Sequence, residues 1–406
     1  MRMNRRHFLA GVAGAGTLAG TLTLGGAGRA FAQAGQPIKI GIVIPLTGAT
    51  SQFGTTMSAA AKAAAKDIND AGGVNGRMVE VLIEDDQSNP EAAVRAARKL
   101  IDVDKVVSIG GSYASAVTSA IAPLCYESKT VLFTSSGADS ITKTPHNGYI
   151  FRTSPTVTLQ GTRVGQYALE LGAKKMFFLG PQTPFAQNYI DIISGLFKDA
   201  GGTGQGLIYE DKRASYRTEV DQALRTKPDV IVLGGYVPDT SVVLKDLYRA
   251  GFTGKKIGFS FGVNPVLADG VPAEVSEGTA SLVPSAAEDS PAYKTLIGKL
   301  GKPALDSYSC QVYDHVVLTA LALASDPATA ASGVVVHDKV RAISQDAAGT
   351  KVTDVGQALK LLADKKAINY DGPSGPLAFA ANGDVEGVFF RYEEVQKGKL
   401  TLLKVA

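Results

Sequence analysis

The sequence predicts an α/β fold of parallel sheets covered by helices on both faces, divided between two domains. Three observations carry this. Short apolar runs rich in β-branched residues recur along the chain, each followed by a helical pattern. The runs lack the period-2 alternation of half-exposed strands, so both sheet faces are covered. The series is also too long for one small sheet, and 45 glycines among 406 residues suit many strand–turn–helix junctions.

The first run is Ile38–Pro45 (IKIGIVIP), after which Met57, Ala61, Ala64 and Ile68 share one helical face. Val79–Ile83 is the second run and ends in Glu84-Asp85-Asp86, read as a solvated strand end. Asn89-Pro90-Glu91 then supplies a cap, a first-turn proline and a first-turn acid. Ala93, Ala97, Leu100 and Ile101 form that helix's apolar face. Val106–Ile109, Val131–Thr134, Met176–Leu179, Leu207–Tyr209, Val230–Leu233 and Ile257–Phe259 continue the strands. Helical patterns include Ser241–Ala250 and Tyr308–Ala324. Phe151–Pro155 and Ser281–Pro284 read as crossings between the domains. Near the end, Pro376–Phe379, Gly387–Tyr392 and Leu400–Val405 read as strands joined by Gly- and Lys-containing turns.

Composition narrows the function. The formal charge of +3 arises from four arginines in residues 1–32; without them 37 basic residues face 38 acidic ones. No basic stripe with interleaved aromatics is present, so no nucleic-acid partner is expected. Tryptophan is absent. The histidines (His7, His146, His315, His337) and cysteines (Cys125, Cys310) are scattered, so no metal is expected, and one internal disulfide is the most the chain can form.

Residues 1–32 read as an export signal: a basic start, MRMNRRH, a weakly apolar Gly-, Ala- and Thr-rich middle, and Ala30-Phe31-Ala32 as cleavage site. Arg5-Arg6-His7-Phe8-Leu9 resembles the twin-arginine motif, with an ordinary secretory signal as the alternative. No other segment approaches the roughly 20 strongly apolar residues that span a bilayer, so a soluble mature protein in the periplasm is expected.

In open parallel sheets, ligands bind beyond the carboxyl ends of the strands, where helix N-termini favour anions. The loops there are 46–54, 110–115, 135–139, 180–185, 235–238 and 260–264. Several resemble a known family. PLTGATSQFG at 45–54, DINDAGGVNGR at 67–77, EDDQSNPEAA at 84–93, TSSGADSIT at 134–142 and YIFRTSPT at 149–156 resemble the periplasmic branched-chain amino acid binding proteins. Residues 112–123, GGYVPD at 234–239 and YSCQVYDHV at 308–316 extend the match over the mature chain.

The resemblance implies the type I binding-protein fold: two Rossmann-like lobes, three crossovers, and a ligand in the cleft. By analogy lobe one is 37–151 plus 282–378, and lobe two is 152–281 plus 379–406. It also implies hinge-like closure on a small molecule and its delivery, by a monomer without cofactor, to an ABC transporter permease.

The resemblance further implies that Ser115, Ser136, Gly137 and Asp139 match the loops that hold a ligand's carboxylate and part of its ammonium. Phe53 and Tyr113 lie in lobe-one loops, Phe185 and Tyr236 in lobe-two loops. Near position 261 amino-acid binders place a glutamate for the ammonium; here the sequence is Gly258-Phe259-Ser260-Phe261-Gly262, with no acid. This favours a small apolar or aromatic carboxylate, or an amide, over free leucine, unless Asp139 replaces the glutamate. Bland roles stand beside these: Ser115 and Asp139 as helix caps, the aromatics as ordinary core.

Two other function classes compete. Gly258–Gly262 fits the G-x-S-x-G elbow of hydrolases, with Ser260 as nucleophile and His315 or His337 downstream. The elbow needs a helix directly after the serine, whereas Asn264-Pro265 signals a turn, so no catalytic residue is expected. An extracytoplasmic sensor of the same fold is the other class.

Overall fold

A computed structural model describes residues 35–405; the expected export signal, with its resemblance to the twin-arginine motif, lies outside these residues. The strands are β1 (Ile38–Ile44), β2 (Val79–Asp85), β3 (Ser108–Gly111), β4 (Val131–Thr134) and β5 (Ile150–Arg152), then β6 (Lys175–Pro181), β7 (Thr203–Tyr209), β8 (Val230–Leu233), β9 (Lys255–Phe259) and β10 (Thr279–Ser285). β11 (Thr350–Val352), β12 (Ile368–Gly372), β13 (Gly375–Pro376), β14 (Phe389–Gln396) and β15 (Lys399–Val405) follow.

The first sheet is wholly parallel, ordered β2-β1-β3-β4-β5. The second runs β15-β14-β10-β9-β8-β6-β7, parallel from β10 to β7, with β14 and β15 added antiparallel. A small third sheet is β11-β12-β13. The chain crosses between the two large sheets after β5, after β10 and before β14.

Local signals explain the elements. β1 is buried on both faces except at Lys39, as an unbroken apolar run in a parallel sheet requires. The helix Gly54–Asp70 buries Met57, Ala60, Ala61, Ala64, Ala65 and Ile68, one face at the 3.6-residue period. Pro90 opens the next helix, and the Asn89 side chain accepts from the Glu91 and Ala92 amides. The helix Ser307–Ala324 is buried along its whole length. It packs on Gly54–Asp70 and on the helix Gly333–Ser344.

Several expectations are corrected. Phe151 and Arg152, read as a crossing, belong to β5, and Ser281–Pro284 lies inside β10. The expected 281/282 boundary therefore falls within a strand that pairs with β9 and β14, and the crossing follows Ser285. β11 and β12 were not foreseen; they are short and pair only with each other and β13, so no buried apolar run marks them. Of Pro376–Phe379, only Pro376 is in a strand; Phe379 makes a single bridge to Val385. Asp86 is fully buried rather than solvated. One carboxylate oxygen accepts from the Ser88 amide at 2.7 Å, the other has no partner among the described residues, and burial holds its pKa up at about 6. Cys125 and Cys310 are buried free thiols, Cys125 pushed up to about 12 by desolvation. Among the described residues, no helix is long and apolar enough to cross a membrane.

Candidate functional site

The carboxyl ends of β4, β6, β8 and β9 converge on one cavity between the two sheets. It is small, about 30 Å³, room for a water molecule. On the first-sheet side it is lined by Tyr113, Ser115, Ser135 and Gly137, with Tyr308 from the start of the long buried helix. The crossing after β5 contributes Ser154, Val157 and Gln160. On the second-sheet side stand Phe185, Tyr189, Tyr236 and Phe261.

Of the residues expected from sequence, Tyr113, Ser115, Gly137, Phe185, Tyr236 and Phe261 line this cavity, and Phe53, Ser136 and Asp139 do not. Phe53 stands one layer back, its ring 5.0 Å from Tyr113 and 5.1 Å from Tyr308. The Ser136 hydroxyl turns inward to the carbonyls of Ser112 (2.8 Å) and Tyr113 (2.7 Å). Asp139 precedes the short helix Ser140–Lys143 without capping it. Its carboxylate instead accepts from the amide and hydroxyl of Thr158, so it is engaged by the first turn of the helix Val157–Glu170.

Six lining residues were missed: Ser135, Ser154, Val157, Gln160, Tyr189 and Tyr308. Ser135 is the first residue after β4, so its place was legible. Tyr189 lies one helical turn beyond Phe185, the i,i+4 spacing that puts both on one face. Tyr308 reaches the site through tertiary packing.

The cavity is polar at one pole and aromatic elsewhere. At the polar pole, the helix Ser115–Glu127 starts with its unpaired amides and positive dipole end. The Ser115 hydroxyl accepts from the Ala138 amide at 3.3 Å. The Ser135 hydroxyl is buried and has no partner among the described residues, a group that a ligand oxygen satisfies. A Cβ at Gly137 would sit 2.9 Å from Gln160 Nε2, so a larger residue there displaces that amide. Arg152 backs this loop, its guanidinium donating to the carbonyls of Ser136 (3.3 Å) and Ala138 (2.8 Å).

Aromatic rings from both lobes make up much of the remaining wall, beside Ser154, Val157 and Gln160. In the first lobe Tyr113 and Tyr308 meet at 4.7 Å, edge to face, with Phe53 against both. In the second lobe Phe185, Tyr236 and Phe261 have centroids 5.4–6.3 Å apart, the spacing of favourable ring pairs. Among the described residues, no Asp, Glu, Lys, Arg or His lines the cavity. Desolvation raises the pKa values of Tyr113, Tyr189, Tyr236 and Tyr308, that of Tyr308 to about 12, so all four stay neutral.

The alternative catalytic constellation is not assembled. The Ser260 hydroxyl bonds the Tyr308 hydroxyl at 2.8 Å. His315 accepts from the Gly111 amide at 3.0 Å and meets Thr153 Oγ1 at 2.7 Å. Its pKa is lowered to about 3 by burial. His337 contacts Asp338 and the Asn147 carbonyl. Neither imidazole touches Ser260, and the next helix starts only at Pro265.

Comparison with known proteins agrees with this architecture. The leucine-, isoleucine-, valine-, threonine- and alanine-binding protein of Pseudomonas aeruginosa is 27% identical over 373 residues, covering 90% of this chain and 92% of that protein. The Leu/Ile/Val-binding protein of Escherichia coli is 24% identical, covering 93% and 95%. Among solved structures, a leucine-binding protein from Thermotoga maritima superposes with a TM-score of 0.77 at 22% identity, covering 91% of this chain and 98% of that one. A solute-binding protein of an ABC transporter from R. palustris, in complex with benzoate, gives 0.73 at 18% identity over 91% and 96%. The profile of the periplasmic binding proteins matches residues 37–386. Such a match takes in both large sheets up to β14 and every residue lining the cavity, and the chain belongs to the periplasmic binding protein family.

Proposed function

We propose that this protein is the ligand-capturing subunit of an ABC importer, binding a small carboxylate or amide with an apolar or aromatic body and presenting it to a membrane permease. The observation that carries the reading is a cleft cavity with hydroxyls and a helix N-terminus at one pole, aromatic rings elsewhere, and no charged side chain. An α-ammonium buried there lacks an anionic acceptor, a costly state. A carboxylate or amide oxygen meets Ser115, Ser135 and the loop amides. Phe261 stands where the family resemblance expects a glutamate, and Asp139 is engaged by Thr158. The relatives named for amino acids and the structure holding benzoate support the range of ligands considered.

The protein works as a monomer in the periplasm, after residues 1–32 direct export and are removed near Ala32. Lobe one comprises 37–151 and the chain after β10 as far as 378; lobe two comprises the rest. Calorimetry on protein unfolded, stripped and refolded tests the ligand class. Titration with 4-methylpentanoate and 3-phenylpropanoate is expected to give micromolar or tighter binding, and leucine and phenylalanine none. The reverse order overturns the reading.

A further inference from the structure

The cleft cavity as it stands has room for little more than a water molecule, but a larger one adjoins it. Where the chain leaves β10, a cavity of about 340 Å³ shares the Tyr308 wall and is lined by Phe53 and Ser260 as well. That volume lies within the roughly 300–1,000 Å³ of small-molecule sites, and the 30 Å³ of the cleft cavity does not. Its apolar lining is Val263, Val283, Pro284, Ala286, Leu305 and Leu400.

The charged groups in this wall are already partnered. Arg391 donates to Glu288 and Glu393. The Asp306 carboxylate caps the helix Ser307–Ala324, accepting from the Ser309 amide at 2.8 Å and its hydroxyl at 2.7 Å. The chamber therefore offers a ligand an apolar body, with no free cation to compete for a carboxylate. What separates it from the polar pole of the cleft is Tyr308, held by its 2.8 Å bond to Ser260 of the opposite lobe. That bond joins residues 48 apart in sequence, Ser260 just after β9 and Tyr308 at the start of the long buried helix.

We propose that the two cavities form one elongated ligand site, in which Tyr308 turns aside. The ligand's carboxylate sits at Ser115 and Ser135, and an unbranched apolar tail runs past Phe53 into the chamber beside β10. The preferred ligand is then a medium-chain monocarboxylate rather than a compact acid. This rests on the carboxylate reading above.

Calorimetry with butanoate, hexanoate, octanoate and decanoate tests it. Burying one methylene is worth about 0.8 kcal/mol, or about fourfold in affinity. Affinity is expected to climb by up to that factor per added methylene as far as octanoate. Ala286→Phe and, separately, Val283→Phe fill the chamber; each is expected to abolish the gain in affinity beyond butanoate. Thermal melts verify that each variant folds, and either suffices. A flat series in the wild type, or a gain that survives chamber filling, overturns the proposal and leaves the carboxylate reading standing. Failure of every acid to bind overturns both.

Discussion

Arg152 Nε donates to Asp384 Oδ1 at 2.8 Å, joining the last residue of β5 to a turn 232 residues later. Arg152 is wholly buried, and its remaining donors hold Thr142 and the carbonyls of Ser136 and Ala138. One guanidinium thus fastens the third crossing to the loop that shapes the polar pole. Removing one member of a buried pair costs about 3–5 kcal/mol, because the other charge is stranded. Asp384→Asn is expected to lower unfolding free energy by about 3 kcal/mol in urea titrations, and to weaken ligand binding through the displaced loop.

Ser135 and Ser115 separate structure from binding. The Ser135 hydroxyl has no partner among the described residues, so Ser135→Ala is expected to leave the melting temperature of ligand-free protein unchanged or slightly raised. Ligand affinity falls about 10- to 100-fold, the loss of a charge-assisted bond of about 1.5–3 kcal/mol. Ser115→Ala also frees the Ala138 amide and is expected to lose stability as well. Melts with and without ligand check both.

Consecutive buried residues on the helix Ser307–Ala324 titrate in opposite senses. Burial raises Asp314 to about 7, although Ser374 and Tyr370 donate to it. Between an ordinary carboxylate value near 3.8 and 7, the folded state holds a proton the unfolded chain releases, so this group makes stability fall as pH rises. His315 is lowered to about 3, so its contribution is complete above 6.5 and is lost as pH falls from there towards 3. Asp314→Asn removes only the first dependence. Relative to wild type, its stability is expected to rise by up to about 1.4 kcal/mol per pH unit between pH 4.5 and 7, measured by denaturant melts at fixed pH.

Export depends on both arginines of Arg5-Arg6-His7-Phe8-Leu9 if the twin-arginine route is used. Changing Arg5 and Arg6 together to Lys is expected to leave full-length precursor in the cytoplasm, read by fractionation and intact mass. Normal cleavage of the double variant assigns the chain to the general secretory route.

The sequence by itself determined what depends on neighbours along the chain. The unbroken apolar run of Ile38–Ile44 announces a strand covered on both sides, and Asn89-Pro90 sets a helix start through a bond spanning two and three residues. The position of Tyr113, Phe185, Tyr236 and Phe261 near strand ends likewise placed them at the cleft, because parallel sheets present those ends together. Only the tertiary structure decided which polar groups remain free to meet a ligand. Asp139 and Ser136 sit in the expected loop, yet Thr158 and the carbonyls of Ser112 and Tyr113 occupy them, while adjacent Ser135 is left unpaired. Asp86 reads as a solvated strand end and is buried. Tyr308 and Ser260 meet only because the two sheets face each other. Hydrogen-bond partners and burial are fixed by distances through space between segments tens to hundreds of residues apart, and local periodicity and propensity do not encode those distances.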